Sequence, residues 1–209
     1  MTRSSLADGR RAKLKDDLTA AAEHLIETRG LAGVKARPLA QASGCALGAI
    51  YNVFPDLDTL IMAVSARTLE RLDAHLTAVL AEAGGWEADP RAAARHELVA
   101  LAIGYLAFAS AHRARWRALF EHRLPEGKTI PDWLVADQSR LFSRLETLLA
   151  PLFPLLSPEA RALRSRSLFS AVHGLVLLGL EEKLAAMPAE SLRAELVLLV
   201  RAMVAGLET

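Results

Sequence analysis

VKARPLAQASGCALGAIYNVFPDLDTL, Val34 to Leu60, is the stretch that decides the fold. Arg37 to Ser43 reads as a short helix, with Pro38 tolerated in its first turn because the amide it lacks has no intrahelical partner there. Gly44 follows, where a left-handed turn favours glycine, and a second short helix covers about Leu47 to Val53. Two short helices joined by a glycine turn make a helix-turn-helix. Ala40, four residues before Gly44, is small enough to let the helices approach, and Ile50, six after it, fills the space between them. Leu39 and Phe54 complete that small core. The outward face of the second helix is left with Ala46, Leu47, Gly48, Ala49, Tyr51 and Asn52, small or hydrogen-bonding groups of the kind that enter a major groove. Asp56 is placed to cap the helix that follows.

The same helical period extends in both directions. Leu14, Leu18, Ala21 and Leu25 form one apolar face that stops at Arg29-Gly30, a cation followed by a C-terminal glycine. Further apolar faces run through Leu57 to Val79, Leu98 to Phe108 and Leu134 to Leu148. A helix opening on Ser157-Pro158-Glu159 extends to about Leu184, and the last one starts near Pro188 and uses Leu192, Leu196, Leu199, Met203 and Leu207. Breakers lie at Gly84-Gly85, Leu124 to Pro131, Pro151 to Pro158 and Met187-Pro188. No alternating run bounded by hairpin turns is present, so the expected class is all-α. The expected division is a helix-turn-helix segment over residues 1–55, preceded by a basic arm, and a larger helical domain over 56–209.

Charge is uneven along the chain. The net charge is only +1, yet residues 1–54 hold 8 Lys/Arg against 5 Asp/Glu and the remainder hold 17 against 19. The excess gathers in Arg3, Arg10, Arg11, Lys13 and Lys15, which face only Asp8, and such an arm suits either phosphate contact or a solvated tail. The longest uncharged apolar stretch, Leu98 to Ala111, fits a buried helix better than a membrane span. The charged N-terminus carries no secretory h-region, and the single cysteine, Cys45, forms no disulfide within a subunit, so a cytoplasmic location is expected.

With Ala40, Gly44, Gly48, Tyr51 and Phe54 at these spacings, the chain resembles the TetR family of bacterial transcriptional regulators. Phe169-Ser-Ala-Val-His173-Gly174-Leu175 is similar to the His-Gly signature of one C-terminal subgroup, the WHG type. The resemblance implies about nine helices, three for double-stranded operator DNA and six for ligand binding and dimerisation. It implies that Tyr51 and its neighbours touch phosphates, that Arg37, Leu47, Ala49 and Asn52 lie toward the DNA, and that the protein is a repressor. Three positions depart from the family pattern: Lys35 and Ala46 stand where helix caps are common, and Asp58 stands where a lysine often follows the phenylalanine. A carboxylate there repels phosphate. Because Leu47 and Ala49 offer bases only apolar contact, specificity is expected to rest on Lys35, Arg37, Asn52 and DNA shape.

Elsewhere an aromatic set stands out: Tyr105, Phe108, His112, Trp116, Phe120, Trp133 and Phe142, with His173 beside Gly174. Tyr105, Phe108 and His112 fall at intervals of three and four, which places them on one helix face that either lines a cavity for an apolar or aromatic effector or packs as core. The last two helices are rich in Leu and Val on several sides, which suits a four-helix homodimer interface using Leu168, Val172, Leu175, Leu196, Leu199 and Met203. Gly127-Lys128-Thr129 lacks the preceding glycine of a phosphate loop, and a mobile interhelical loop is the expectation there. The six histidines contain no i, i+3 or i+4 pair, and there is no nucleophile elbow or dinucleotide fingerprint. Neither a cofactor nor a metal, catalysis or a membrane association is therefore expected. The alternative is a helical small-molecule binder or enzyme whose N-terminal helix pair is only structural.

Overall fold

The computed structural model describes residues 3–85, 87–181 and 187–207. These residues form α-helices and short turns and contain no strand. The order is α1 Arg3–Arg29, a 3₁₀ turn Leu31–Gly33, α2 Ala36–Ser43, α3 Leu47–Val53, α4 Leu57–Ala83, α5 Pro90–Ala111, α6 Arg113–Glu121, α7 Asp132–Leu149, α8 Pro158–Gly179 and α9 Ala189–Leu207.

Local chemistry explains most of these boundaries. Gly30 takes φ 68° and ends α1, and Gly44 takes φ 65° at the end of α2, both in the left-handed region that a Cβ disfavours. Asp89 accepts from the amides of Arg91 and Ala92, at 3.2 and 3.1 Å, to open α5. Ser157 Oγ accepts from Ala160 N at 3.2 Å, with Pro158 in the first turn of α8. Residues 3–15, which the sequence leaves between an arm and a tail, belong to α1; the exposed Lys13 there pairs with Asp17 at 2.8 Å, one turn away.

Two boundaries differ from the periodicity. His112, with φ −126° and ψ 36°, lies outside the helical region and separates α5 from α6 without proline or glycine. Tyr105 and Phe108 therefore share a helix that His112 does not continue, and the common face expected of the three is not formed. The helix α8 ends at Gly179, with Leu180 as its cap, before the expected limit near Leu184, which lies outside the described residues.

The chain divides into two compact units. The first combines Met1–Glu70 with His112–Leu134, and the second Arg71–Ala111 with Val135–Thr209. The first is larger than the 1–55 segment because α6 and the start of α4 share its core: Leu18, Leu25 and Ile26 of α1, Leu39 of α2, Ile50 of α3, Phe54, Leu60, Ile61 and Val64, and Ala118 of α6. Each fully buried large side chain there contributes about 1.5–3 kcal/mol of transfer free energy.

In the second unit α5, α8 and α9 pack with little room. A Cβ on Gly179 would lie 2.4 Å from Leu192 Cδ1, so a larger residue there would force Leu192 to move, and one on Gly104 would lie 3.0 Å from Val79 Cγ2, a tight contact. The helix α5 is long and apolar enough to cross a membrane by length and composition. Its apolar residues Leu98, Leu101, Leu106 and Phe108 are buried within this unit, as suits a core helix.

Candidate nucleic-acid interface

In the first unit α2 and α3 are held by their buried sides. Leu39 and Ile50 are wholly buried and Phe54 nearly so, so the opposite faces are fixed outward. The Gly44 turn is closed by Cys45 N donating to Ala40 O at 3.1 Å. Along α3 the exposed side chains are Leu47, 45% exposed, Tyr51, 50% exposed, and Asn52, with Ala46 exposed just before the helix and Ala49 half-buried. Gly48 is exposed, and a Cβ built on it meets no heavy atom within 4 Å. The fold therefore does not need glycine at 48.

Lys35 and Arg37 are exposed at the start of α2. Neither Lys35 nor Ala46 caps its helix through its side chain, so amides of both N-termini stay open to an outside acceptor. Among the described residues, no hydrogen bond or ion pair occupies the side chains of Lys35, Arg37, Tyr51 or Asn52. Two cations, a phenol and an amide are thus presented around an apolar, glycine-containing helix face, a composition suited to phosphates and base edges.

Asp56 caps α4 as expected: its Oδ1 accepts from Thr59 N at 2.7 Å and from Thr59 Oγ1 at 2.8 Å. Sequence reasoning missed its second engagement. Lys128 Nζ donates to Asp56 Oδ2 at 2.6 Å and to Asp58 Oδ2 at 3.0 Å, and His122 Nε2 lies 3.0 Å from Asp58 Oδ1. The Lys128 hydrogen bond, helped by the Thr59 amide, holds the Asp56 carboxyl down at about 2. His122 and then Lys128 lower Asp58, and the two carboxylates raise Lys128. The loop carrying Gly127-Lys128-Thr129 is accordingly tied to the start of α4 through Lys128. A separation of 72 residues between Asp56 and Lys128 leaves no periodic signal by which to find the pair.

The eight aromatic and histidine candidates divide between the units. Tyr105, Phe108, Phe142 and His173 belong to the second, and His112, Trp116, Phe120 and Trp133 to the first. In the second unit Phe169 joins the group: it stacks on His173 with centroids 5.5 Å apart and meets Tyr105 and Phe142 edge-on at 5.7 and 5.4 Å. Tyr105 Oη lies 2.8 Å from His173 Nδ1, and burial lowers the His173 pKa. His75, with Nε2 3.1 Å from Gly104 O, contacts the Phe108 ring. In the first unit Trp116 is buried against Phe120, which is itself exposed, as is Trp133. A groove of about 370 Å³ in the second unit is lined by Arg95, His96, Val99, Val200, Arg201, Val204 and Ala205, none of them an aromatic candidate.

The six expected interface residues also separate. Leu168, Val172 and Leu196 are buried inside their own chain, while Leu175, Leu199 and Met203 are half-buried. The exposed counterpart on α8 is Leu163, Ser167, Ser170 and Leu178, and on α9 Leu198, Ala202 and Ala205. Both lie at helical spacing, with the exposed Arg166 and Arg201 at their flanks. A search for apolar residues selects the core side of such helices, because the exposed side is built largely of Ser and Ala.

No curated protein matches the chain in sequence. Among solved structures it is similar to a Rhodococcus sp. RHA1 protein of unknown function, with TM-score 0.69 and 24% identity over 90% of this chain and 94% of that one. A TetR-family transcriptional regulator from Streptomyces coelicolor gives TM-score 0.66 and 20% identity over 93% and 82%. PfmR, a TetR-family regulator from Thermus thermophilus, gives 0.55 and 20% over 88% and 97%. At these identities the likeness is one of fold. The family model "Tetracyclin repressor-like, C-terminal domain" matches residues 98–206, just over half of the chain, and with the helix-turn-helix of α2 and α3 it identifies the chain as a member of the TetR family of transcriptional regulators.

Proposed function

We propose that the protein is a homodimeric repressor that binds double-stranded operator DNA through α3 and the start of α2 and is released by a small apolar or aromatic effector. The observation that carries the reading is the division of α3: Ile50 is wholly buried, while Leu47, Gly48, Tyr51 and Asn52 face outward around a glycine the fold does not require. Lys35, Arg37, Tyr51 and Asn52 contact DNA, with Ala46 to Ala49 against the groove wall. Dimerisation uses the exposed stripes of α8 and α9, with the half-buried Leu175, Leu199 and Met203 at their edges, and sets two copies of α3 about 34 Å apart, one turn of DNA. The effector binds beside Tyr105, Phe108, Phe142, Phe169 and His173, and acts by favouring a dimer in which that spacing is wrong. A shift from mostly bound to mostly released needs roughly 5 kcal/mol of differential binding.

The test is selection of fragments from sheared genomic DNA by the purified protein, at low and moderate salt with excess competitor. One or a few near-palindromic sites, bound with an affinity that falls steeply as salt rises, is the expected outcome. Sequence-indifferent binding alone, or no binding after refolding has removed any co-purified ligand, overturns the reading in favour of a helical small-molecule binder or enzyme.

A further inference from the structure

Two carboxylates, Asp56 and Asp58, stand three and five residues beyond Val53, the last residue of α3. Charges this near a DNA-facing helix fall within about one or two Debye lengths, about 8 Å each, of the phosphates it meets. Uncompensated, they oppose binding. Both are instead held by a loop distant in sequence. The buried Trp116 and Ala118 fix α6 in the first unit, His122 N donates to Ala118 O at 3.3 Å to close that helix, and Gly127, at φ 80°, turns the chain so that Lys128 reaches both carboxylates. Lys128 keeps 27% of its side chain exposed, so its charge still reaches the surrounding solvent.

We propose that Lys128, assisted by His122, is a positioning residue for DNA binding: it offsets Asp56 and Asp58 and holds the α3–α4 junction, which makes operator affinity depend on the loop between α6 and α7. The inference rests on the DNA-binding reading above. It predicts opposite effects for the two sides of the cluster. Lys128→Met removes the cation from both carboxylates in each subunit, leaving Asp56 with Thr59 and Asp58 with His122. A penalty of about threefold per half-site, the size of one screened charge–phosphate repulsion in water, multiplies to about tenfold weaker operator binding in a dimer. Asp58→Asn removes one negative charge while Lys128 remains, and tightens binding several-fold, a gain that a damaged fold does not produce. The double variant returns close to wild type, and Lys128→Arg resembles wild type.

The experiment measures operator affinity for these four variants and the wild type at one fixed salt concentration, with thermal unfolding of each alongside. Weaker binding by Lys128→Met, tighter binding by Asp58→Asn and recovery in the double variant support the proposal. A wild type that binds its operator while Lys128→Met binds equally well, or while Asp58→Asn binds no more tightly, overturns it and leaves the regulator reading intact. A wild type without specific DNA binding overturns both.

Discussion

Tyr105 and His173 meet with Oη 2.8 Å from Nδ1, joining α5 to α8 inside the second unit. Burial lowers the His173 pKa from its ordinary value of 6.5, so folding favours the neutral imidazole. The stability this group contributes is complete above about pH 6.5 and declines as pH falls toward the depressed folded value, because the unfolded chain then binds the extra proton. The melting temperature is expected to drop between pH 7.5 and 5.5. In His173→Asn, which carries no titrating proton, that drop shrinks, as calorimetry at the two pH values will show. Tyr105→Phe loses one hydrogen bond and costs about 1 kcal/mol at neutral pH.

Asp56 acts in a separate window. Its carboxyl is depressed from 3.8 to about 2 by Lys128 and the Thr59 amide, so its contribution is present above pH 3.8 and is lost as pH falls toward 2. Asp56→Asn is expected to flatten the acid limb of the unfolding curve below pH 4 and to leave the His173-dependent change near neutrality as it is. Equal flattening of both regions would contradict the assignment.

Gly44 and Gly48 separate fold from function. Gly44→Ala places a Cβ at φ 65° and is expected to destabilise the protein by roughly 1 kcal/mol. Gly48→Ala meets no neighbouring atom and gains helix propensity, so its stability is unchanged or up to about 1 kcal/mol higher. Its operator affinity is nevertheless expected to fall tenfold or more if, as proposed, the exposed face that carries the added methyl meets DNA. Chemical denaturation and a binding titration on the same preparation check both halves.

Leu163 and Leu198, 65% and 61% exposed, belong to the outward sides of α8 and α9. Leu198→Glu is expected to yield a monomer at micromolar concentration with its helix content intact, as measured by light scattering and circular dichroism. Leu196→Glu, two residues away but wholly buried, is expected to unfold the chain instead, because it buries an unpaired charge. If the two variants behaved alike, the division between core and interface sides of α9 would be wrong.

Arg37→Ala should weaken operator binding and change site preference, whereas Tyr51→Phe should weaken all sequences alike, because base contacts specify and phosphate contacts only position. Competition between operator variants separates the two effects. An unchanged preference in Arg37→Ala would remove that residue from base readout.

What was legible in the sequence was local. The Gly44 turn, the burial of Leu39, Ile50 and Phe54, the Asp56 cap and the Ser157-Pro158 helix start each depend on a few adjacent residues whose chemistry has one good solution. What escaped depended on packing across the chain. The break at His112 carries no glycine or proline to announce it, and the assignment of Trp116 and Phe120 to the first unit follows from that break. Lys128 meets Asp56 across 72 residues of chain, with α6 packed against α1, and the exposed side of α8 is built partly of serines, which carry no apolar signal. Periodicity reports that a face is apolar. It does not report whether the face meets its own chain or another.

The first unit is made from two separated stretches of chain, with α6 inserted into a core that α1 to α4 begin. It is therefore not a cassette. A fragment ending near residue 55 would lack Leu60, Ile61, Val64 and Ala118 and leave Leu25, Ile26 and Phe54 against water, so transplanting it onto another effector module would graft an incomplete fold. Such a chimera needs a seam that carries residues 112–134 along with the N-terminal helices. The same constraint applies in evolution: recombination that exchanges effector domains in this lineage must either preserve α6 and its loop or rebuild their contacts anew.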